Sequence, residues 1–145
     1  MIPVQIKRLH DGIQIPTYAT RGAACVDLRA ELQEPIFLHP GEVRKFGTGL
    51  AIYIEDPAYC GKIYPRSGLG TKGIVLANGV GIVDADYQGE VIVALWNRSD
   101  DRYEIQPGER MAQMCCEVVE RFAFQEVSEF VASERGDSGF GSTGR

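Results

Sequence analysis

A chain of 145 residues carrying a formal net charge of −5 is one domain's worth of sequence, and its acidity excludes the broad basic surface expected of a nucleic-acid binder. Hydrophobic residues make up 44% of it, enough for a single packed core. With only His10 and His39, and no Cys-x-x-Cys spacing, the chain has no material for a His-based or zinc-finger-like metal centre.

From the N-terminus, MIPVQIKRLH shows no uninterrupted apolar run of signal-peptide type, and no later run is long enough to span a bilayer. A soluble, cytoplasmic protein with no membrane and no nucleic-acid partner is expected. Strand signals then follow one another at Val4–Leu9, Val26–Ala30, Pro35–Leu38, Val43–Phe46, Leu50–Ile54, Ile74–Ala77, Val80–Val83, Val91–Trp96 and Met111–Val119. These runs are short and rich in Val, Ile and aromatics, with Gly, Pro, Asp and Asn between them. Turn chemistry recurs at Asp11-Gly12, Pro40-Gly41, Asn78-Gly79, Gln88-Gly89 and Pro107-Gly108. Only Arg66–Lys72 invites a helical turn. Many short strands with no long helix predict an all-β sandwich, jelly roll or barrel. Val91–Trp96 is apolar on both faces, which predicts a strand covered on both sides, the second side by another subunit. Cys25, Cys60, Cys115 and Cys116 read as buried, reduced thiols, and the adjacent Cys115 and Cys116 face opposite sides of a strand.

Polar groups with chemical capacity fall into five segments. In Ala23-Ala-Cys-Val-Asp27-Leu-Arg29, Asp27 is either a surface carboxylate or a carboxylate that holds Mg²⁺ through water. Pro65-Arg66-Ser67-Gly68-Leu69-Gly70 joins a guanidinium, a hydroxyl and exposed N–H groups, as an anion site or as a plain polar loop. In Asn78-Gly79-Val-Gly-Ile82-Val83-Asp84-Ala-Asp86-Tyr87-Gln-Gly-Glu90, the Asn78 amide can pair with both a donor and an acceptor on a base edge. Asp84 follows an apolar strand, where partial burial suits general-base work; the same residues also suit an ordinary hairpin. Gln113 in Pro107-Gly-Glu-Arg110-Met-Ala-Gln113 is either a core-directed amide in need of partners or an outward side chain on an edge strand. The last segment, Arg135-Gly-Asp-Ser-Gly-Phe140-Gly141-Ser142-Thr143-Gly-Arg145, is too polar to pack a core. Its glycines and hydroxyls suit phosphate and Phe140 suits a base, unless it is a plain Gly/Ser tail.

In order, AACVDLRA, PRSGLG, NGVGIVDADYQGE, PGERMAQ and RGDSGFGSTGR resemble the motifs of the all-β dUTPase family, deoxyuridine triphosphate nucleotidohydrolases, and the resemblance covers nearly the whole chain. It implies a homotrimer of jelly-roll-like subunits with an active site at each subunit junction. It divides the chain into a catalytic domain, 1–134, and a flexible arm, 135–145, that closes a site in the trimer. The implied reaction is Mg²⁺-dependent hydrolysis of dUTP to dUMP and pyrophosphate by water attack at the α-phosphorus. That activity limits uracil incorporation into DNA and supplies dUMP for thymidylate synthesis. Asp84 is the implied general base. Asn78 and Gly79 read the uracil edge, Ile82, Val83 and Ile92 line the nucleoside pocket, and Tyr87 packs on the deoxyribose. Arg66, Ser67 and Gly68 hold the phosphates, Gln113 orders the site, and Asp27 supports Mg²⁺ through water. From the arm, Phe140 covers the base while Arg135, Gly141, Ser142 and Thr143 contact the phosphates.

The chain departs from the family pattern in three places. Cys25 stands where Gly is common, the Lys72-Gly73 stretch is one residue short, and Ser138 replaces a glycine of the arm, where a positive φ would carry a cost. Two other readings stay open. One is a dCTP deaminase-like enzyme of the same fold, which needs an ammonia-releasing site with a catalytic Glu. The other is a non-enzymatic dUTP-binding regulatory trimer.

Overall fold

Period-two alternation builds most of this molecule. The computed structural model describes residues 1–139. The strands are β1 (Gln5–Arg8), β2 (Val26–Arg29), β3 (Ile36–Leu38), β4 (Val43–Tyr53), β5 (Tyr59–Pro65), β6 (Ile74–Leu76), β7 (Gly81–Val83), β8 (Glu90–Asn97), β9 (Tyr103–Ile105) and β10 (Arg110–Val118). One helical turn, α1 (Ser67–Gly70), follows β5. Two four-stranded sheets run β1-β4-β8-β6 and β2-β10-β5-β7, and β3 pairs with β9 in a two-stranded sheet. All pairings are antiparallel.

The sheets share one core. Phe46, Ile74, Val91, Val93 and Leu95 from the first meet Leu28, Ile63, Met111 and Ala112 from the second, with Leu38 and Ile105 from the small sheet. Each large side chain of this kind contributes roughly 1.5–3 kcal/mol on full burial. Asn97 ends β8 fully buried and satisfied: its amide donates to the carbonyls of Leu38 at 2.9 Å and Asp101 at 2.7 Å, and its oxygen accepts from Ser99.

The expected strands are present, with three differences. The two runs at Val43–Phe46 and Leu50–Ile54 are one strand, β4, interrupted by a bulge: Gly47 pairs with Ile92 and Ala51 with Glu90, so Thr48, Gly49 and Leu50 face Val91 alone. Gly49 makes the bulge possible at φ +66. β5 and β9 were hidden in composition, β5 behind Gly61, Lys62 and Pro65, β9 among the charges of Asp100, Asp101, Arg102 and Glu104. Within β5, Gly61 lets β7 approach, since a Cβ there would stand 3.2 Å from Val83 Cβ. β8 is covered on one face only within the chain: Val91, Val93 and Leu95 are buried, while Ile92 is 48% and Trp96 38% exposed. The thiols also differ from expectation. Cys60 is buried, Cys25 and Cys115 are half-buried, and Cys116 is exposed near the end of the last strand.

After Val118 no strand follows among the described residues, and Phe122, Phe124, Phe130 and Val131 are exposed. Ser138 sits at negative φ, because Glu55 is the only non-glycine with positive φ among the described residues; the expected backbone cost does not arise.

Candidate active site

The polar residues expected to act together form two groups on the chain. The first gathers on β2, β10 and the end of β5. Antiparallel register sets Gln113 opposite Asp27 on one side and opposite Tyr64 on the other, so β10 is a central strand. That removes the edge-strand reading of Gln113. Its amide donates to the Pro65 carbonyl at 2.9 Å and so holds the residue before Arg66. Asp27 accepts from both sides: Arg66 Nε lies 2.8 Å from Oδ1 and Arg110 3.3 Å from Oδ2. Arg66 opens α1 as its N-cap, and Ser67 and Gly68 follow, both exposed. The first N–H groups of a helical turn have no partner within it, so they remain free to donate. Arg110 completes this group. It lay within a quoted motif, but its pairing with Asp27 depends on the β2–β10 register and cannot be read from spacing.

The second group lines a pocket of about 180 Å³ formed by Ile63, Asn78, Gly81, Ile82, Val83, Asp84, Tyr87, Glu90, Val91 and Ile92. Its walls come from both large sheets. β7 pairs with β5 and β8 with β4 and β6, so residues 84–89 cross between sheets. The hairpin alternative for this segment is thereby overturned: β7 and β8 are not partners. The corner is closed by the Tyr87 N–H donating to the Asp84 carbonyl at 3.1 Å. Asn78-Gly79 is likewise a crossing, from β6 to β7, and Gly79 takes φ +72 there. Asp84 is exposed rather than partly buried, because the corner projects beyond the end of β7. The Tyr87 hydroxyl donates to the Glu90 carbonyl at 2.8 Å, which fixes the ring over the pocket. None of Asp27, Arg66, Ser67, Gly68 and Gln113 lines this pocket. A larger cleft of about 520 Å³, bordered by Asp11, Thr17, Glu31, Asp27 and Arg110, holds none of the nucleoside-side residues.

Next to the first group, Glu117 on β10 accepts from both Lys62 and Tyr64 of β5. Their hydrogen bonds to Glu117 raise the pKa of Lys62 and Tyr64, and the same bonds lower that of Glu117. Cys115, two residues from Gln113, is pushed up to about 11 by burial and by the neighbouring Cys25 thiol, so it stays protonated at neutral pH. Register explains that neighbour: Met114 faces Val26, which brings Cys115 opposite Cys25. Arg135 forms a local turn in which its Nε donates to the Ser138 carbonyl at 3.1 Å. Phe140, Gly141, Ser142 and Thr143 lie outside the described residues.

A nearly all-β chain with a pocket at an inter-sheet corner, and a separate guanidinium–carboxylate group, belongs to the class of jelly-roll-like proteins. Comparison with known proteins narrows this. Residues 11–144 match the dUTPase family model. The chain is 50% identical over 139 residues to deoxyuridine 5'-triphosphate nucleotidohydrolase of Alcanivorax borkumensis, across 95% of this chain and 93% of that one. It is 51% identical over an alignment of 146 residues to the protein of the same name from Neisseria meningitidis serogroup A, across 99% and 97%. A solved structure of the Staphylococcus bacteriophage 80alpha dUTPase with dUPNHPP has a TM-score of 0.86 at 27% identity, over 99% of both chains. The chain belongs to the dUTPase family, as its five ordered motifs imply.

Proposed function

We propose that this protein hydrolyses dUTP to dUMP and pyrophosphate. The convergence of Asn78, Ile82, Val83, Asp84, Tyr87 and Ile92 on one pocket is the observation that carries this reading. Asn78, with the backbone at Gly79, reads the uracil edge, and the Tyr87 ring occupies the space a 2′-hydroxyl needs. The Asp84 carboxylate takes a proton from water as that water's oxygen bonds to the α-phosphorus. The bond from the α-phosphorus to the bridging oxygen breaks, and charge moves onto the leaving pyrophosphate. Arg66, the N–H groups of Ser67 and Gly68, and the arm residues Arg135, Gly141, Ser142 and Thr143 stabilise that charge. Gln113 holds the Arg66 end of β5 in place, and Phe140 covers the base. Magnesium suits the donor set: Mg²⁺ keeps most of its water and binds one or two carboxylates plus substrate phosphates. Asp27 is the carboxylate that would hold it, through water. Bound there, the ion would supply charge neutralisation at the phosphates.

A pocket of about 180 Å³ is smaller than the roughly 300–1,000 Å³ of whole-ligand sites, which supports its taking one part of the substrate, the nucleoside. The phosphate group of residues stands apart from it, and the exposed Ile92, Trp96, Phe122, Phe124 and Phe130 are apolar surface that needs cover. Both observations support a homotrimer in which the site spans a subunit junction and the arm, 135–145, closes it. The enzyme works in the cytoplasm, where it limits uracil in DNA and supplies dUMP. Anion-exchange analysis of dUTP, dCTP, dTTP and UTP incubated with enzyme and Mg²⁺ tests the proposal. Rapid dUMP and pyrophosphate formation from dUTP alone is expected. Ammonia released from dCTP would transfer the protein to the deaminase reading, and tight dUTP binding without turnover to the regulatory one.

A further inference from the structure

We infer that Glu90 is a positioning residue that sets the sugar specificity of the pocket through Tyr87; the inference rests on the dUTP reading above. Glu90 faces two ways. Its backbone carbonyl accepts the Tyr87 hydroxyl at 2.8 Å, and its carboxylate Oε1 accepts the Gly49 N–H at 2.8 Å in the β4 bulge. The bulge is shaped for that carboxylate. A Cβ at Gly47 would lie 2.4 Å from Glu90 Oε1, so glycine there leaves the carboxylate its place. The bulge is itself held on three sides: the Gly49 carbonyl accepts Leu9 N–H at 2.8 Å, the Gly47 carbonyl accepts Glu31 N–H at 2.9 Å, and the Thr48 hydroxyl donates to the Val91 carbonyl at 2.7 Å. At the other end the phenol is confined, because a Cβ at Gly89 would stand 2.5 Å from the Tyr87 hydroxyl. One residue therefore connects a rigid part of the first sheet to the ring above the pocket. A misplacement of about 1 Å can cost on the order of 10²-fold where reacting geometry decides the rate, and excluding a 2′-hydroxyl likewise depends on where the ring stands. With the carboxylate untied, the 84–90 corner and its ring gain that freedom.

The test compares kcat/KM for dUTP and UTP in the full-length protein with Mg²⁺. Glu90→Ala is expected to lower the dUTP/UTP ratio roughly tenfold, the scale of one charge-assisted hydrogen bond. Glu90→Gln keeps an oxygen acceptor and should retain most of the ratio. Gly47→Ala touches no nucleotide, yet it should lower the ratio as Glu90→Ala does, because its methyl evicts the carboxylate. In a Tyr87→Phe background, Glu90→Ala should add little further change, since the link is already cut. Lower thermal stability with an unmoved ratio in both Glu90→Ala and Gly47→Ala would make Glu90 purely structural and overturn the inference alone. Should Glu90→Ala fail to fold, Gly47→Ala decides by the same ratio. A wild-type protein that leaves dUTP intact overturns both this inference and the reading it rests on.

Discussion

Asp84, the proposed base, is exposed just beyond the end of β7. No packing depends on its charge, so Asp84→Asn should leave thermal unfolding unchanged and remove the base. General-base catalysis is typically worth about 10²–10⁴-fold, and kcat should fall by that order while dUTP affinity, measured by calorimetry, changes less. Activity within a few-fold of wild type would reduce Asp84 to a corner residue. Asp27 is the opposite case, a carboxylate held by Arg66 and Arg110. Tyr103 carries a different charge effect. Burial, with its hydrogen bond to Glu109, pushes its pKa from 10.0 up to about 12. The folded state then keeps a proton that the unfolded chain has released, so this stabilisation is complete below about pH 10 and is lost as pH rises toward 12. Tyr103→Phe should flatten the alkaline fall in Tm over that window relative to wild type. Parallel curves would remove Tyr103 from the account.

At the scale of elements, the crossings between sheets matter more than the strands. β6, β7 and β8 are consecutive, yet β7 belongs to the second sheet and its neighbours to the first. Asn78 and Asp84 therefore sit on two crossings that open onto one pocket. The end of β8 shows the same dependence on distant strands, since buried Asn97 ties β3 and the 99–101 turn to it. Asn97→Ala would strand the buried Leu38 carbonyl, at a cost of about 1–3 kcal/mol, and would release the part-buried partners at Ser99 and Asp101, so a clear drop in Tm is expected by calorimetry. A change of only a degree or two would mean that water replaces the amide. The bulge of β4 is the third such device. Composition separates Val43–Phe46 from Leu50–Ile54 at Gly47-Thr48-Gly49, but pairing with β8 carries the strand straight through.

For the whole molecule, the question is what covers the apolar surface a single chain leaves open. The outer face of β8 and the stretch after Val118 expose side chains that single domains normally bury. A trimer is expected by light scattering at micromolar concentration, and a stable, active monomer would refute it. Removing residues from Arg135 onward should leave that trimer folded, since the deleted stretch holds one large apolar residue, Phe140. Turnover of dUTP should collapse, because the work proposed for the arm is to exclude water and add donors at the phosphates. Trimer mass, Tm and turnover measured on one truncated sample separate the cases: near-native activity would make the arm a passive tail, and loss of the trimer a structural strap.

The sequence by itself determined the fold class and the family, and it supplied the residue types of the candidate site. Alternating apolar runs can bury one face only as strands, and five motifs in order leave few proteins that fit. Tertiary structure decided which of those residues meet. Gln113 reads equally well as an edge-strand amide until β2 and β5 flank β10 and turn it onto Pro65. Asp27 reads as a lone carboxylate until register brings Arg66 and Arg110 to it. The segment at 84–90 reads as a hairpin until its two strands join different sheets. Glu90 closes a motif without visible purpose until the β4 bulge presents Gly49 N–H to its carboxylate. In each case the missing information is a contact between residues far apart along the chain, and local propensity and spacing carry no record of such contacts.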